Sequence, residues 1–376
     1  MNVVVAMSGG VDSSVVAALL KEAGHRVIGV TLKLLEKTTG FGCCGSTRDI
    51  DDARAVCARL DVPHYVLDFA AEFRKNIITP FVADYVGGRT PNPCIACNRH
   101  VKFDALLKKA LALGADAVAT GHYARVATLA RDGKTFRRLR RARHLPKDQS
   151  YVLYHLGQAE LERLLFPVGE LTKDQVRDVA RRWDLKVADK DESMEICFVP
   201  DADAGGFVAA EAPGEPTLGE GPVRTLDGKE VGRHKGVARY TRGQRSGLGV
   251  SLGRPAYIVD LDPATNTVYI GDDADTLSPE ADIAPVAWAE GAPPAAPVTV
   301  DVQIRSRHGA APAVVTPTAS GAHVRFMEPQ RAVTPGQAAV FYENDTVLGG
   351  GVIVAAPPAG RTSRSAAERN GKGESR

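Results

Sequence analysis

Over the first two hundred positions, short apolar blocks alternate with longer stretches in which apolar residues recur every three or four places. The blocks Val3–Ala6, Arg26–Leu32, His64–Asp68 and Ala117–Thr120 are brief and rich in β-branched side chains, the pattern of strands buried on both faces. Between them, Ser13–Glu22 closed by Gly24, Thr47–Leu60, Ala70–Val86 and Phe103–Leu113 closed by Gly114 read as helices, and Thr172–Trp183 adds one more. Strands alternating with helices predict an α/β fold, a doubly wound parallel sheet whose ligand site lies beyond the C-terminal ends of its strands.

From about Asp201 the texture changes. Glycine and proline become frequent, helical periodicity fades, and short strands are cut by turns such as Asp227-Gly228 and Thr265-Asn266. The predicted organisation is an α/β domain over 1–204, a small mainly β module over 205–280 and a C-terminal β-barrel over 281–356. A Pro/Ala-rich link, Glu290–Pro297, should precede barrel strands near Val298–Arg305, His323–Phe326, Ala338–Tyr342 and Val347–Val354. The Ser/Arg/Gly/Pro-rich tail, 357–376, is expected to be disordered.

Composition narrows the class without choosing a function. A chain of 376 residues, 44% hydrophobic and 24% charged, can bury two or three cores. The net charge of +2 predicts no partner by itself. No apolar run reaches the roughly twenty residues a bilayer span needs, and the N-terminus enters a strand at once, so the expectation is a cytoplasmic protein without membrane attachment. Six cysteines in a chain this long are no disulfide scaffold; in a reducing compartment they point to redox or metal chemistry.

The most specific signal joins the first strand to the first helix: Ala6-Met7-Ser8-Gly9-Gly10-Val11-Asp12-Ser13-Ser14. Small residues at a helix N-terminus can turn backbone N–H groups toward an anion, and Ser8, Ser13 and Ser14 are expected to add hydroxyl donors. The G-x-x-x-x-G-K-[ST] pattern is absent, so no lysine within the loop holds a transferring γ-phosphate. The loop resembles the PP-loop of N-type ATP pyrophosphatases, which grip pyrophosphate while AMP goes to an oxygen. Asp12 has two readings, placing a metal or orienting the loop, or capping the helix.

Two cysteines sit in contexts that suggest chemistry. Cys97 lies in Arg89-Thr90-Pro91-Asn92-Pro93-Cys94-Ile95-Ala96-Cys97-Asn98, read as a proline-stiffened loop ahead of a helix, and Cys197 lies in Glu195-Ile196-Cys197-Phe198. Thiols beside helix N–H groups or cations become nucleophilic. If these two meet in the fold, one can carry a sulfane sulfur and the other release it by exchange. Competing readings are half a zinc site at Cys94/Cys97, although no second ligand pair completes it, a thioredoxin-like pair, and inert burial, which is the reading for Cys57. Cys43 and Cys44 receive no role. His122 reads as catalytic or as a buried structural histidine. The run Lys134–Lys147, with five arginines and no acid, reads as a solvated face or as a nucleic-acid phosphate contact.

These motifs occur in the order found in bacterial tRNA-specific 2-thiouridylases, which the chain resembles over nearly its whole length. The likeness continues through Ala119-Thr120-Gly121-His122-Tyr123-Ala124-Arg125, Lys147-Asp148-Gln149-Ser150-Tyr151, Tyr240-Thr241-Arg242-Gly243-Gln244-Arg245, Thr334-Pro335-Gly336-Gln337 and Leu348-Gly349-Gly350-Gly351. It implies an adenine nucleotide alpha hydrolase-like PP-loop domain followed by the two β modules. ATP and Mg²⁺ would be the cofactors, with Ala6, Met7, Ser8, Gly9, Gly10, Val11, Asp12, Ser13, Leu32 and Gly121 at the nucleotide. Cys97 would be the nucleophile and Cys197 the persulfide carrier, joined transiently in a disulfide. Asn92, Pro93 and Cys94 would touch the target base, and Lys147, Asp148, Gln149, Arg305 and Ser306 the tRNA. Some family members carry Asp at the position of Cys94, Asp at that of Glu192 and Met at that of Leu32.

The implied partners are the glutamate, glutamine and lysine tRNAs and a persulfide donor, either a cysteine desulfurase or a sulfur relay, acting on a monomer. The implied reaction adenylates the C2 oxygen of the wobble uridine and replaces it with sulfur. Two rivals remain: a C–N ligase of the argininosuccinate synthetase or GMP synthetase type, which shares the loop but has no use for two cysteines, and a non-catalytic RNA-binding or sulfur-carrier module.

Overall fold

The structure, a computed structural model, describes residues 1–35, 45–131, 133–191, 196–250 and 253–357. The expectations for Cys43, Cys44, Glu192, Glu195 and nearly all of the tail lie outside the described residues.

A five-stranded sheet organises the N-terminal domain, in the order 64–68, 26–33, 2–6, 117–119 and 164–165, with every pairing parallel. The central strand Asn2–Ala6 shows why both faces are covered. Val3 and Val5 point into a cluster with Val15, Val16, Val176 and Val179, while Val4 points the other way, to Val30, Phe73, Phe81 and Val118. Side chains alternate across a strand, so an unbroken apolar run fills two cores. Helix Thr47–Arg59 lies so close to the sheet that a Cβ on Gly29 would stand 2.5 Å from the Cys57 sulfur. Burial pushes that thiol's pKa up to about 11, which makes Cys57 the packing residue its position suggests.

The predicted strands and helices of this domain are present; the short edge strand 164–165 is not among those predicted, and three further differences stand out. Helix formation begins at Pro93, not Phe103, and runs through an α, a π and a second α segment to Ala112. Proline at the first helical position lacks only an N–H that would have been unpaired anyway. Cys94 and Cys97 therefore stand on a helix, not in a loop. A β-hairpin, Ala124–Arg131 with Lys134–Arg141, occupies the arginine-rich stretch. A helix, Ala204–Glu211, occurs where helical periodicity was expected to fade.

The central module is a four-stranded sheet in the order 257–262, 267–271, 221–225 and 230–234. Six antiparallel strands then close into a barrel, 277–288, 322–331, 311–317, 298–303, 338–343 and 346–355, with the first and last paired. The strand Leu277–Trp288 crosses the expected boundary at 280/281, so Glu290–Pro297 is a loop inside the barrel and not a link ahead of it. Turn-rich texture marks where a chain bends, not which side of a domain border the bend falls on.

The hairpin ties the two ends of the chain together. Its strand Lys134–Arg141 adds to the barrel edge through Arg140 and Thr346, although both hairpin strands belong to the first domain in sequence. No helix among the described residues is long and apolar enough to cross a membrane.

Candidate active site

The loop 7–10 leaves the C-terminal end of the central strand. Leu32 is the penultimate residue of the strand on one side, and Thr120-Gly121 follows the strand on the other. That is the switch point of a doubly wound sheet, where the crevice opens. Gly9 adopts φ +74°, a conformation glycine supplies without strain, and a Cβ there would meet the Asp49 carbonyl oxygen at 2.5 Å. Met7 is buried and its N–H donates to the Val30 carbonyl at 2.8 Å. Ser13 Oγ accepts from the Ser8 N–H at 3.2 Å and lies 3.2 Å from Ser8 Oγ.

Ser14 departs from expectation. It is fully buried and its hydroxyl donates to the Gly10 carbonyl at 2.8 Å, so it braces the helix from within and does not face an anion. Gly10, with extended φ/ψ, is the cap of helix Val11–Glu22, which removes the capping reading of Asp12.

Asp12 instead receives two donors on one oxygen. Tyr123 OH donates to Oδ1 at 2.8 Å and Lys173 Nζ at 2.7 Å. Lys173 is almost wholly buried, at the first position of helix Lys173–Arg182, which is capped by the reciprocal Thr172/Gln175 pair. The loop thus acquires a cation from 161 residues away. A Cβ on Gly121 would stand 2.8 Å from the Ser13 nitrogen and 3.0 Å from the Asp12 carbonyl carbon, so this segment seals directly onto the loop. His122 is buried, with Nδ1 2.7 Å from Thr120 Oγ1. Burial, then the Lys102 and His155 charges, hold its pKa well below the ordinary value. A neutral, enclosed imidazole fits the structural reading.

Asn92 caps the helix that carries the first cysteines, its Oδ1 accepting from the Cys94 N–H at 3.1 Å. Cys94 is exposed and Cys97, one turn on, is buried. Cys97 belongs to the core cluster containing Val101 and Phe198, against which Ile196 and half-buried Cys197 also pack. The two cysteines, a hundred residues apart in sequence, thus pack on the same large core cluster. Phe198 fixes the second cysteine's chain by edge-on contacts with Phe73 (5.6 Å) and Phe81 (5.1 Å).

Thr90, just ahead of Asn92, is held by both β modules. Its N–H donates to the Pro335 carbonyl at 3.0 Å, its carbonyl accepts from Gln337 Nε2 at 2.7 Å, and its hydroxyl lies 3.1 Å from that of Thr241.

The stretches expected to meet tRNA are also joined. Asp148 Oδ2 accepts from Arg141 at 2.9 Å. Arg141 donates to Gln303 Oε1 at 3.0 Å and stacks on the Tyr342 ring. Gln303 Nε2 lies within 3.1 Å of the Arg305 and Ser306 carbonyls. Asp148 is largely enclosed by this network, whereas Ser306 and Gln149 are exposed. Gln149 Oε1 accepts from the Tyr123 N–H at 2.9 Å, which links this surface to Asp12.

The arginine run has less phosphate-binding capacity than its sequence suggests. Arg138 is buried and pairs with Glu290; Arg140 and Arg125 pair with Asp345 at 2.6 and 2.7 Å; Arg141 is enclosed as described. Arg143 remains exposed. Burial raises the Asp345 pKa, but the Arg140 hydrogen bond and the charges of Arg140 and Arg125 outweigh it and hold the carboxyl below its ordinary range. Sequence reasoning missed these acids because they lie as far as 220 residues away.

A parallel α/β sheet with a glycine–serine loop at its switch point defines an ATP-using domain of the PP-loop class, here with Cys97 and Cys197 packed on one large core cluster. Family models agree: residues 1–201 match the tRNA methyl transferase HUP domain, 213–272 the tRNA methyl transferase PRC-barrel domain and 280–353 the aminomethyltransferase beta-barrel domain. The chain is 48% identical over 356 residues to the tRNA-specific 2-thiouridylase MnmA of Chloroflexus aurantiacus, covering 94% of this chain and 98% of that protein. The same-named proteins of Chloroflexus aggregans and Clostridium perfringens are 49% and 45% identical, each with 94% of this chain and 98% of theirs covered. The chain belongs to the tRNA-specific 2-thiouridylase family.

Proposed function

We propose that this protein uses ATP to adenylate the C2 oxygen of the wobble uridine in the glutamate, glutamine and lysine tRNAs and replaces that oxygen with sulfur. What supports the reading is that Cys97 and Cys197 pack on one core cluster in a domain whose glycine–serine loop sits at the switch point of its parallel sheet.

Uracil C2 is a poor electrophile because oxide is an impossible leaving group. Forming the O–AMP bond expels pyrophosphate and turns that oxygen into part of AMP, a good leaving group. The loop N–H groups and the nearby Lys173 ammonium offset the charge on departing pyrophosphate. The terminal sulfur of a Cys197 persulfide then forms the C2–S bond, either directly or after release as sulfide, and AMP leaves with the oxygen. Cys97 forms the disulfide with Cys197 as the S–S bond of the persulfide breaks. A thiol reductant returns two electrons to reopen it, and a cysteine desulfurase or sulfur relay reloads the carrier.

Mg²⁺ would neutralise the phosphates when bound. Among the described residues no three His, Cys, Asp or Glu side chains gather to hold a metal. That fits an ion held mainly by substrate phosphates and one carboxylate, and Asp12, partly exposed on the loop, is the carboxylate available for it. The anticodon loop is single-stranded, so a wobble base is readily splayed out toward Asn92, Pro93 and Cys94. Lys147, Gln149, Arg305 and Ser306 would hold the backbone around it. The protein acts as a monomer in the cytoplasm.

The test is incubation with unmodified tRNA, ATP, Mg²⁺ and a persulfide source, followed by mass spectrometry of the digested nucleosides. The expected result is 2-thiouridine at the wobble position, with AMP and pyrophosphate each equal to the bases modified. ATP cleavage with C–N bond formation and no thiolated base would replace this reading with the ligase.

A further inference from the structure

A buried tyrosine beside the nucleotide loop puts its hydroxyl on a loop carboxylate. The Tyr123 ring is almost wholly enclosed, packed in the cluster with Met7, Val11 and Val15. A phenol in such a place needs a polar partner for its tip, and Asp12 Oδ1 supplies one at 2.8 Å. The same segment fixes the main chain beneath, since a Cβ on Gly121 would stand 3.0 Å from the Asp12 Cβ. Lys173 Nζ also donates to Oδ1, at 2.7 Å, so both donors converge on one oxygen. Among the described residues none donates a hydrogen bond to Oδ2, and the Asp12 side chain is 29% exposed. An ionised carboxylate only accepts, at either oxygen. With Oδ1 occupied, Oδ2 is the oxygen left for a ligand.

Tyr123 is seated in turn by Gln149. The Tyr123 N–H donates to Gln149 Oε1 at 2.9 Å, and the Gln149 N–H donates to the Tyr123 carbonyl at 2.8 Å. A main-chain N–H can only donate, so it fixes the carboxamide with its oxygen inward. Gln149 therefore uses its side-chain carbonyl on the protein, although its neighbours in sequence point to RNA.

We propose that Tyr123 is a positioning residue which, seated by Gln149, holds Asp12 with Oδ2 toward the cation that accompanies ATP. This role deepens the ATP-dependent reading above and rests on it. The hydroxyl acts on the ligand only through Asp12. Without it the carboxylate keeps the Lys173 bond but is freer to turn about its broad χ2 torsion, while the main chain of the cradle is untouched.

The experiment uses the full chain without tRNA, as wild type, Tyr123→Phe, Gln149→Ala and Gln149→Glu. Chemical denaturation establishes that each is folded. The probe is α,β-methylene-ATP, whose α–β linkage resists cleavage. Calorimetry gives its Kd with Mg²⁺ and again in excess EDTA, and electron paramagnetic resonance of Mn²⁺ gives the affinity for the cation in the ternary complex. Tyr123→Phe keeps the buried ring and should weaken nucleotide with Mg²⁺ about tenfold, the scale of one hydrogen bond to a charged group. Mn²⁺ affinity should fall by a similar factor, whereas Kd in EDTA should stay within about twofold of wild type. Gln149→Ala should lose about threefold with the same dependence on the cation. Gln149→Glu, which keeps an acceptor at the same reach, should restore that loss.

A folded Tyr123→Phe protein with wild-type Kd in Mg²⁺ and wild-type Mn²⁺ affinity overturns the proposal. Equal weakening with and without the cation overturns it as well, because the hydroxyl would then only prop up the loop. Wild-type affinities in Gln149→Ala remove the seating by Gln149, the result expected of a residue that serves RNA alone. Should Tyr123→Phe fail to fold, Gln149→Ala decides on the same quantities. Wild-type protein that binds neither ATP nor the analogue ends the ATP-dependent reading itself, and this role with it.

Discussion

The arginine-rich hairpin and the nucleotide loop invert each other's linear appearance. Between Lys134 and Lys147 the sequence displays five arginines and no acid, yet three of those arginines are turned inward onto Glu290, Asp345 and Asp148. Within residues 6–14 the sequence contains no lysine at all, yet the fold delivers Lys173 to Asp12 and Lys190 to the Gly9 carbonyl. A run of charge along a chain reports composition, and only the fold decides whether that charge faces a ligand or another part of the protein. Here the conspicuous cations join the first domain to the barrel, and the inconspicuous ones serve the site.

The sharpest way to break that contrast is to remove one hidden and one displayed arginine. Arg138→Ala removes the buried guanidinium of the Arg138–Glu290 pair and opens the seam between hairpin and barrel. Because Glu290 is partly exposed, it should lower unfolding free energy by about 2 kcal/mol by chemical denaturation. Arg143→Ala should leave stability unchanged, weaken tRNA binding a few-fold and reduce the salt dependence by about one counterion. Reversed outcomes would mean that the run is a phosphate surface after all.

A pH-dependent effect concerns charge kept out of the interior. Burial, then the nearby Arg99 and His100 charges, push the His155 pKa down to about 3, and His122 is held low as well. An unfolded histidine binds its proton near pH 6.5. From there downward the unfolded state carries more protons than the folded one, so stability is full above that value and falls as pH drops toward 3. The loss should approach about 1.4 kcal/mol per pH unit for His155 between pH 6 and 4, with His122 adding in the same direction. Denaturation series at several pH values should show it, with a shallower slope in His155→Gln. A flat profile would place the imidazoles in contact with solvent.

Much of the fold is legible in the sequence for a simple reason. Strands such as Val3–Ala6 and helices such as Thr172–Trp183 are specified by neighbours a few residues away. The loop is legible because its glycines and serines are contiguous, and the cysteine helix is partly so, since Asn92-Pro93 is a cap followed by an N1 proline. What escapes is whatever depends on distant partners. The hairpin at Ala124–Arg141 lacks an apolar stripe because its outer edge joins the barrel instead of the first sheet. The strand Leu277–Trp288 is obscured by Pro279 and Pro285, which suit a barrel strand interrupted by register shifts. The Asp148–Arg141–Gln303 chain, uniting two expected tRNA-contacting stretches, spans 162 residues at one step and leaves no local trace.

The two-cysteine chemistry is tested most directly by single-turnover thiolation of unmodified tRNA with Cys97→Ser and Cys197→Ser. Each variant should bind tRNA within about twofold of wild type, and neither should form detectable 2-thiouridine when supplied with ATP, Mg²⁺ and a persulfide donor. Thiolation at the wild-type rate by either variant would contradict the assignment of nucleophile and carrier.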